Sequence, residues 1–122
     1  MTLSEAIARA DFSKPNIIPT AEKIDWINAV EQNIKSEIID PRADADKAEF
    51  NGYNETMLNR ELIAPAPYSE MYVKWLEAQI DYRNDEIASY NNAIAIYNTL
   101  MGEFRNYYNK RHITSKNVAL KV

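Results

Sequence analysis

The stretch EMYVKWLEAQIDYRNDEIASYNNAIAIYNTLMGEFRNYYN, residues 70–109, decides the fold that the sequence predicts. Its apolar and aromatic side chains recur at alternating steps of three and four residues, which is the repeat of helices that pack along one seam. Arg83 is the only charged member of this seam. The seam consists of Val73, Leu76, Ile80, Arg83, Ile87, Tyr90, Ile94, Tyr97, Met101, Phe104 and Tyr108.

A single helix over residues 70–109 would be about 60 Å long, because an α-helix rises about 1.5 Å per residue. A compact domain of this size is only about 30–35 Å across. The helix therefore either bends at the polar residues 81–86, near Asn84, or projects and packs on something else. The unbroken repeat favours a long helix, kinked near Asn84 if it is broken at all.

This long helix also offers a second face, because another stripe flanks the seam. The second stripe consists of Tyr72, Trp75, Gln79, Tyr82, Ala93, Ile96, Leu100 and Tyr107. Tyrosine and tryptophan suit interfaces, since their rings bury area while their polar atoms stay hydrated. We therefore expect contacts with other subunits from Trp75, Tyr82, Tyr90, Ile94, Tyr97, Met101, Phe104 and Tyr108.

Two shorter helices are predicted before this stretch, so the fold class is all-α, a helical bundle. Thr2 or Ser4 is placed to cap a helix that runs to about residue 10, and Thr20 to cap a helix over residues 20–39. Three- and four-residue steps give the second helix one apolar stripe. The stripe consists of Ile24, Ile27, Val30 (or Glu31), Ile34 and Ile38.

Between the helices, the residues Phe50, Asn51, Gly52 and Tyr53 predict a small β-hairpin or extended flap that spans about residues 48–64. Asn-Gly between two aromatic residues is typical of a type I′ turn, which needs positive φ at both central positions. A lone pair of strands is unstable, so the flap must pack on the helices or on another subunit. We expect it to be a docking flap.

Composition excludes several classes of chemistry. The 122-residue chain has no cysteine, only two glycines and one histidine, His112. We expect neither a Ser-His-Asp or Cys-His set nor a histidine-rich metal site from this single histidine, and the chain has no disulfide framework and no glycine-rich phosphate loop. We expect no enzyme activity, no catalytic residue and no cofactor.

Two groups of acidic residues have a metal-site or catalytic interpretation, and we favour a plain structural one for both. Asp40, Asp44, Asp46 and Glu49 lie in a polar connector, but their spacing is not that of an EF-hand, so no metal is expected. Glu77, Asp81 and Asp85 stand four apart and predict a solvated helix face.

Charge divides the chain. Residues 1–109 hold 18 acidic and 10 basic residues, a balance of 10 − 18 = −8, whereas residues 110–122 hold four basic residues and no acidic one. We predict one helical domain over residues 1–112 and a flexible basic tail over residues 113–122. The candidate docking residues of this end are Lys110, Arg111, His112 and Lys116.

The sequence has no run of apolar residues long enough for a membrane span and no apolar signal core at its start, so neither a membrane nor secretion is expected.

Taken together, these motifs resemble the small head–tail connector (adaptor) proteins of tailed bacteriophages and their prophages. The similar stretches follow in order along most of the chain. They are KPN (14–16), KIDWINAVEQNI (23–34), EII (37–39), FNGYN (50–54), LIAPAPYSEMY (62–72), AQIDY (78–82), YNNAIAIYN (90–98) and YYNKRH (107–112).

The resemblance implies a non-enzymatic structural subunit of the virion, located at the head–tail junction and assembled in the cytoplasm of the bacterial host. Such subunits form an oligomeric ring, commonly a dodecamer, beneath the phage portal protein. The ring offers a platform to a tail-side completion protein, and DNA passes through its channel without sequence-specific binding.

Two alternatives stay open from the residues alone. One is a non-viral helical oligomerisation or interaction module, such as a coiled-coil-like dimer. The other is a nucleic-acid binder that acts through the basic tail.

Overall fold

A computed structural model describes residues 1–42 and 49–112. Predictions for the rest of the polar connector, which holds Asp44 and Asp46, and for the tail with Lys116 lie outside the described residues. The helices are α1 (Leu3–Ser13), α2 (Thr20–Ile34), α3 (Glu70–Arg83) and α4 (Ile87–Arg111). A π-helical turn, Lys35–Ile39, continues α2, and a 3-10 turn, Glu55–Met57, interrupts the long connection to α3. The all-α prediction is confirmed.

The start of α1 follows the sequence prediction. Thr2 caps the helix, with its hydroxyl oxygen accepting from the backbone N–H of Glu5 at 3.1 Å. Two further N–H groups of the first turn find carbonyls outside the helix: Leu3 donates to Arg60 at 3.0 Å and Ser4 to Leu58 at 2.9 Å. The connection before α3 is thereby tied to the first helix.

The stripe of α2 is buried as predicted, but its start differs. Ile24, Ile27, Val30, Ile34 and Ile38 are all at most 2% exposed. Thr20 is not the N-cap: Pro19 takes that position, and no side chain caps the helix. The fixed φ of proline pre-sets the entry to the helix, which makes a hydroxyl cap dispensable.

The continuous helix over residues 70–109 is wrong, and the alternative of a break near Asn84 is confirmed. The chain reverses direction there, because Asp85 adopts φ 57°, in the left-handed region. Aspartate tolerates this conformation better than most residues. The carbonyl of Asp81 accepts from the N–H groups of Asn84 at 3.1 Å and Glu86 at 2.9 Å, which closes the turn.

After the turn, α4 packs antiparallel on α3. Ring contacts mark the register: the centroids of Tyr82 and Tyr90 lie 5.6 Å apart near the turn, and those of Trp75 and Tyr97 lie 4.8 Å apart further along. Tyr90 and Tyr97 of the predicted seam therefore pack on rings of α3 that lie beside the seam.

Helix α3 lies at the centre of the bundle. Its neighbour α1 runs parallel to it, as contacts from Arg9 to Glu70 and from Lys14 to Asp81 show. Helix α2 also packs on α3 and runs antiparallel to it, as contacts from Glu22 to Arg83 and from Glu31 to Tyr72 show. The core between them is closed by large side chains at most 2% exposed, among them Tyr72, Phe104, Leu3, Ile24, Ile27, Met71, Leu76 and Ile80.

The predicted β-hairpin at Phe50–Tyr53 is wrong for the described residues, which contain an isolated bridge, Thr2 to Glu61, but no strand. Gly52 has φ 91°, but Asn51 does not share the positive φ that a type I′ turn requires. The side chain of Asn28 takes the place of a partner strand: it accepts from the N–H of Tyr53 at 2.8 Å and donates to its carbonyl at 3.1 Å.

Candidate functional site

One end of the bundle collects exposed apolar side chains. We call it the turn end, formed by residues 12–22 and 80–90. An ion pair between Glu22 and Arg83 joins the two segments, and the Arg83 guanidinium lies 5.7 Å from the ring centroid of Trp26. The turn end therefore brings together parts of the chain that are distant in sequence.

The apolar residues of the turn end point into solvent. Phe12 is 91% exposed, Ile17 fully exposed, Tyr82 62% exposed and Ile87 54% exposed. Ile96, at 44%, continues this surface along α4. Single exposed apolar residues are ordinary on a protein surface, whereas contiguous apolar patches are typical of contact sites.

Beside this surface lies a pocket of about 220 Å³ between α1, α3 and α4. Its floor holds two buried carboxylates. Glu77 accepts from the Ser13 hydroxyl at 2.5 Å and from the Lys74 ammonium at 3.0 Å. Asp81 is 1% exposed, and its Oδ1 lies 3.1 Å from the Lys14 ammonium.

The prediction of a solvated acidic face is therefore wrong for Glu77 and Asp81. They are buried because α1 packs on this side of α3 and contributes Ser13 and Lys14. Asp85 does not share the face, since it lies beyond the end of α3 and is exposed. The spacing of the three acidic residues gave no sign that α1 would cover two of them.

A groove of about 400 Å³ runs between α1 and α3 and shares Ser13, Lys74 and Glu77 with the pocket. Phe12 stands on one of its walls. The Arg9 guanidinium donates two hydrogen bonds to the Glu70 carboxylate, at 2.6 and 2.8 Å. These hydrogen bonds raise the pKa of Arg9 above its ordinary value. The groove and the pocket thus form one continuous surface of fixed charges and apolar side chains.

The residues predicted to contact other subunits fall into three groups. Tyr97 and Phe104 are 7% and 1% exposed, so they belong to the core of their own chain. Tyr82 is exposed at the turn end. The others are half-buried on the chain's own core or beside it, and they are Trp75, Tyr90, Ile94, Met101 and Tyr108.

A buried carboxylate that the sequence hardly signals fixes the connection between α2 and α3. Glu31 is 0% exposed. One of its oxygens accepts from the Tyr72 hydroxyl at 2.5 Å, and the other accepts from the Tyr53 hydroxyl at 2.7 Å and the Ile63 N–H at 2.9 Å. Tyr72 in turn accepts from the N–H of Ala64 at 2.9 Å. The only sequence signal was the place of Glu31 beside the apolar stripe.

Burial shapes the acid–base behaviour of this cluster. Loss of hydration on burial raises the pKa of Glu31 above its ordinary value. The three hydrogen bonds that Glu31 accepts lower its pKa, but by less. The pKa values of Tyr53 and Tyr72 are raised first by burial and then by the charge of Glu31. Burial also raises the pKa of Tyr97 to about 12. The two tyrosines that contact Glu31 therefore stay protonated and donate to it.

The predicted flap is held by α2. Gln32 donates to the carbonyl of Phe50 at 3.0 Å, and the rings of Phe50 and Tyr53 meet edge to face at 5.1 Å. With Tyr53 bonded to both Glu31 and Asn28, this segment is attached to the bundle. Its predicted docking role stays a prediction.

The opposite end of the bundle, which we call the basic end, is formed by residues 65–68 and 103–112. The Arg111 guanidinium lies 4.6 Å from the ring centroid of Tyr107, and His112 stacks on Tyr108 at 3.8 Å. A groove of about 540 Å³ there is lined by Tyr68, Tyr107, Lys110, Arg111 and others. The predicted docking residues Lys110, Arg111 and His112 thus lie together.

In the described ranges, no group of three or more histidine, cysteine or acidic side chains is placed to hold a metal ion. Among the helices of the same residues, none combines the length and the apolar character needed to cross a bilayer. A scan against models of protein families, a search of curated proteins and a search of solved structures each found no match to this chain.

Proposed function

We propose that this chain is a structural subunit of a phage head–tail connector ring that docks on the portal and links the DNA-filled head to the tail. The motifs quoted above support this by resemblance, and they extend over most of the chain. The all-α bundle and the exposed apolar surface of the turn end agree with a protein whose work is assembly.

The observation that carries the proposal is the exposure of Phe12 and Ile17, at 91% and about 101%. Phe12 lines the groove between α1 and α3, and Ile17 lies in the linker between α1 and α2 at the same end of the bundle. Full burial of such a side chain contributes about 1.5–3 kcal/mol. Two of them at the centre of a contact would supply much of the energy that a typical interface hot spot provides.

A ring needs two different surfaces on each subunit, because every copy contacts its left and right neighbours through unlike faces. The described residues offer such a pair. The turn end is apolar with buried carboxylates, whereas the basic end presents Lys110 and Arg111 beside tyrosine rings. Opposite character at the two ends favours a head-to-tail contact over a symmetric one.

The coiled-coil-like dimer has less support. Its seam would need Tyr97 and Phe104 to face a second helix, but both are buried against the chain's own core. A dimer through this seam would require the α3–α4 hairpin to open.

The test uses the purified full-length chain and the portal protein of the same phage or prophage. Electron microscopy at high protein concentration should show rings, and immobilised portal should capture the chain. The double variant Phe12→Asp, Ile17→Asp should weaken capture by about 100-fold, as expected for the loss of roughly 3 kcal/mol of apolar burial.

The matched control is Asn59→Asp, an exposed position near the start of α1, at a distance from the turn end. It adds a negative charge to the surface and should leave rings and capture unchanged. A wild-type chain that stays monomeric at all concentrations and ignores portal would refute the proposal.

A further inference from the structure

The reversal between α3 and α4 presents two carboxylates to solvent. Asp85 and Glu86 are both exposed, and their backbone N–H groups close the turn. Within residues 1–42 and 49–112, neither carboxylate takes part in an ion pair or a hydrogen bond. The cation of the same turn, Arg83, is already paired with Glu22. The turn end therefore carries negative charge that its own molecule does not neutralise.

The basic end carries the opposite charge in a groove. Lys110 and Arg111 are exposed and line the groove of about 540 Å³ described above. Among the described residues, neither cation forms an ion pair, and Arg111 contacts only the ring of Tyr107. Glu103 is the one acidic residue among the described residues that line the groove. The groove thus keeps a positive balance that attracts carboxylates.

The two surfaces also match in their apolar parts. Tyr82 and Ile87 flank the two carboxylates of the turn and are 62% and 54% exposed. In the groove, the rings of Tyr68 and Tyr107 lie 5.1 Å apart, and both residues are half-buried. Tyrosine rings bury apolar area while their hydroxyl groups stay hydrated. A volume of about 540 Å³ accepts a few side chains rather than a folded element, which suits a turn of the chain.

The two surfaces cannot meet within one molecule. Glu86 immediately precedes α4, and Lys110 follows twenty-four residues later in the last turn of the same helix. At about 1.5 Å per residue, the two positions are about 36 Å apart along the helix axis. An ion pair requires a distance of about 4 Å or less. The unpaired carboxylates and the unpaired cations can therefore neutralise each other only between molecules.

We propose that Asp85 and Glu86 of one copy dock in the groove at the basic end of a second copy. There they form ion pairs with Lys110 and Arg111, and the exposed apolar side chains beside the two carboxylates cover the tyrosine rings of the groove. The inference rests on the proposed ring, for which it supplies the contact between neighbouring subunits. Each copy uses its turn end on one side and its basic end on the other, which is the unlike pairing that closes a ring.

Zero-length cross-linking of the full-length chain tests this contact directly. A carbodiimide joins a carboxylate to an amine only where the two groups touch. At high protein concentration and low ionic strength, mass spectrometry should identify a link from Asp85 or Glu86 to Lys110. Because these residues are about 36 Å apart in one molecule, such a link forms only between copies. Links between copies that omit this pair, or no link between copies at all, would overturn the proposal.

Exchange of the two charges gives a quantitative test by sedimentation equilibrium. Glu86→Lys and Lys110→Glu each bring like charges together in the contact, so each should weaken self-association by about tenfold or more. The double variant Glu86→Lys, Lys110→Glu restores opposite charges and keeps the net charge of the wild type. Its self-association should return to within about threefold of the wild-type value. The two single variants, mixed together, should associate with each other more tightly than either does alone.

A merely structural role of these charges predicts a different order. Acidic side chains stabilise the N-terminus of a helix and basic side chains its C-terminus, so the double variant should then be impaired most. Self-association that is weaker in the double variant than in either single variant would overturn the proposal. Asn98→Lys, at an exposed position midway along α4, is the control and should stay within about twofold of the wild type. A tenfold loss in this control would show a general effect of charge and overturn the proposal as well.

Rings and portal capture test the proposed function separately. Rings that form with Glu86→Lys as well as with the wild type would remove this contact and leave the proposed function standing. Self-association restored in the double variant, with neither rings nor portal capture by the wild type, would support the contact and refute the proposed function.

Discussion

Replacement of Glu31 by glutamine tests how the connection between α2 and α3 is held. The amide has almost the shape of the carboxylate, so packing is preserved. Its oxygen can take the place of the carboxylate oxygen that accepts from Tyr53 and Ile63. The NH₂ group then meets the Tyr72 hydroxyl, which already accepts from Ala64 and loses its own acceptor.

The expected cost follows from this arrangement. One buried hydroxyl without a partner costs about 1–3 kcal/mol, and the other two hydrogen bonds become weaker when their acceptor loses its charge. Relief of the buried charge subtracts from this sum, because desolvation already raises the pKa of Glu31. We expect a net loss of about 1–2 kcal/mol in the free energy of unfolding at neutral pH.

The assay is urea and thermal unfolding followed by far-ultraviolet circular dichroism. For a chain of this length, the loss corresponds to a drop in Tm of about 3–10 °C. Glu103→Gln, an exposed position on α4, is the control and should stay within about 0.5 kcal/mol of the wild type. A Glu31→Gln variant as stable as this control would refute the view that Glu31 organises the connection.

Four further outcomes are expected from unfolding measurements. The pKa of Glu31 is raised in the folded chain, so folding favours its protonated form. The free energy of unfolding of the wild type relative to Glu31→Gln should therefore be greatest below the pKa of Glu31 in the unfolded chain, and it should fall as the pH rises through the pKa in the folded chain. A difference that stays constant with pH would contradict this. Gly52→Ala should lower the free energy of unfolding by about 1–2 kcal/mol, since Gly52 has φ 91° and an added Cβ would lie 3.3 Å from Asn28. Gly102→Ala, in open space within α4, should raise it by about 0.5–1 kcal/mol, and equal effects would be inconsistent with the structure. Asp85→Val should cost about 1–2 kcal/mol because a β-branched side chain opposes φ 57°, and an unchanged midpoint in urea would argue against the turn. Asn28→Ala should cost about 1–2 kcal/mol, as the backbone groups that it holds lose their partners, and a neutral result would mean that water replaces it fully.

Much of the fold could be predicted because burial follows helical periodicity. The stripe of α2 and the cap at Thr2 were correct for this reason. The reversal at Asp85 was harder to predict, since the heptad spacing continues through it without a slip. A single residue in the left-handed region, Asp85, turns the chain. The free-energy cost of this backbone conformation is small compared with the packing gained when α4 folds back on α3.

The candidate site was predicted less well, because it depends on which elements meet. Glu77 and Asp81 look solvated in sequence and become buried only when α1 covers them. Phe12 and Ile17 carry no pattern that marks them as exposed, since neither belongs to a stripe. The β-hairpin did not form because Asn28, far away in sequence, provides the partner that a second strand would otherwise provide.

The attachment of the irregular connection to α2 has a consequence for how substitutions should distribute in a mutational scan. Two side chains of α2, those of Asn28 and Gln32, hydrogen-bond to backbone groups of that connection. Backbone groups are the same for nearly every amino acid. Tolerance should therefore be inverted from the usual rule at these contacts: the loop accepts many replacements at Phe50, whose carbonyl is what the helix holds, while the helix accepts few at Asn28 and Gln32.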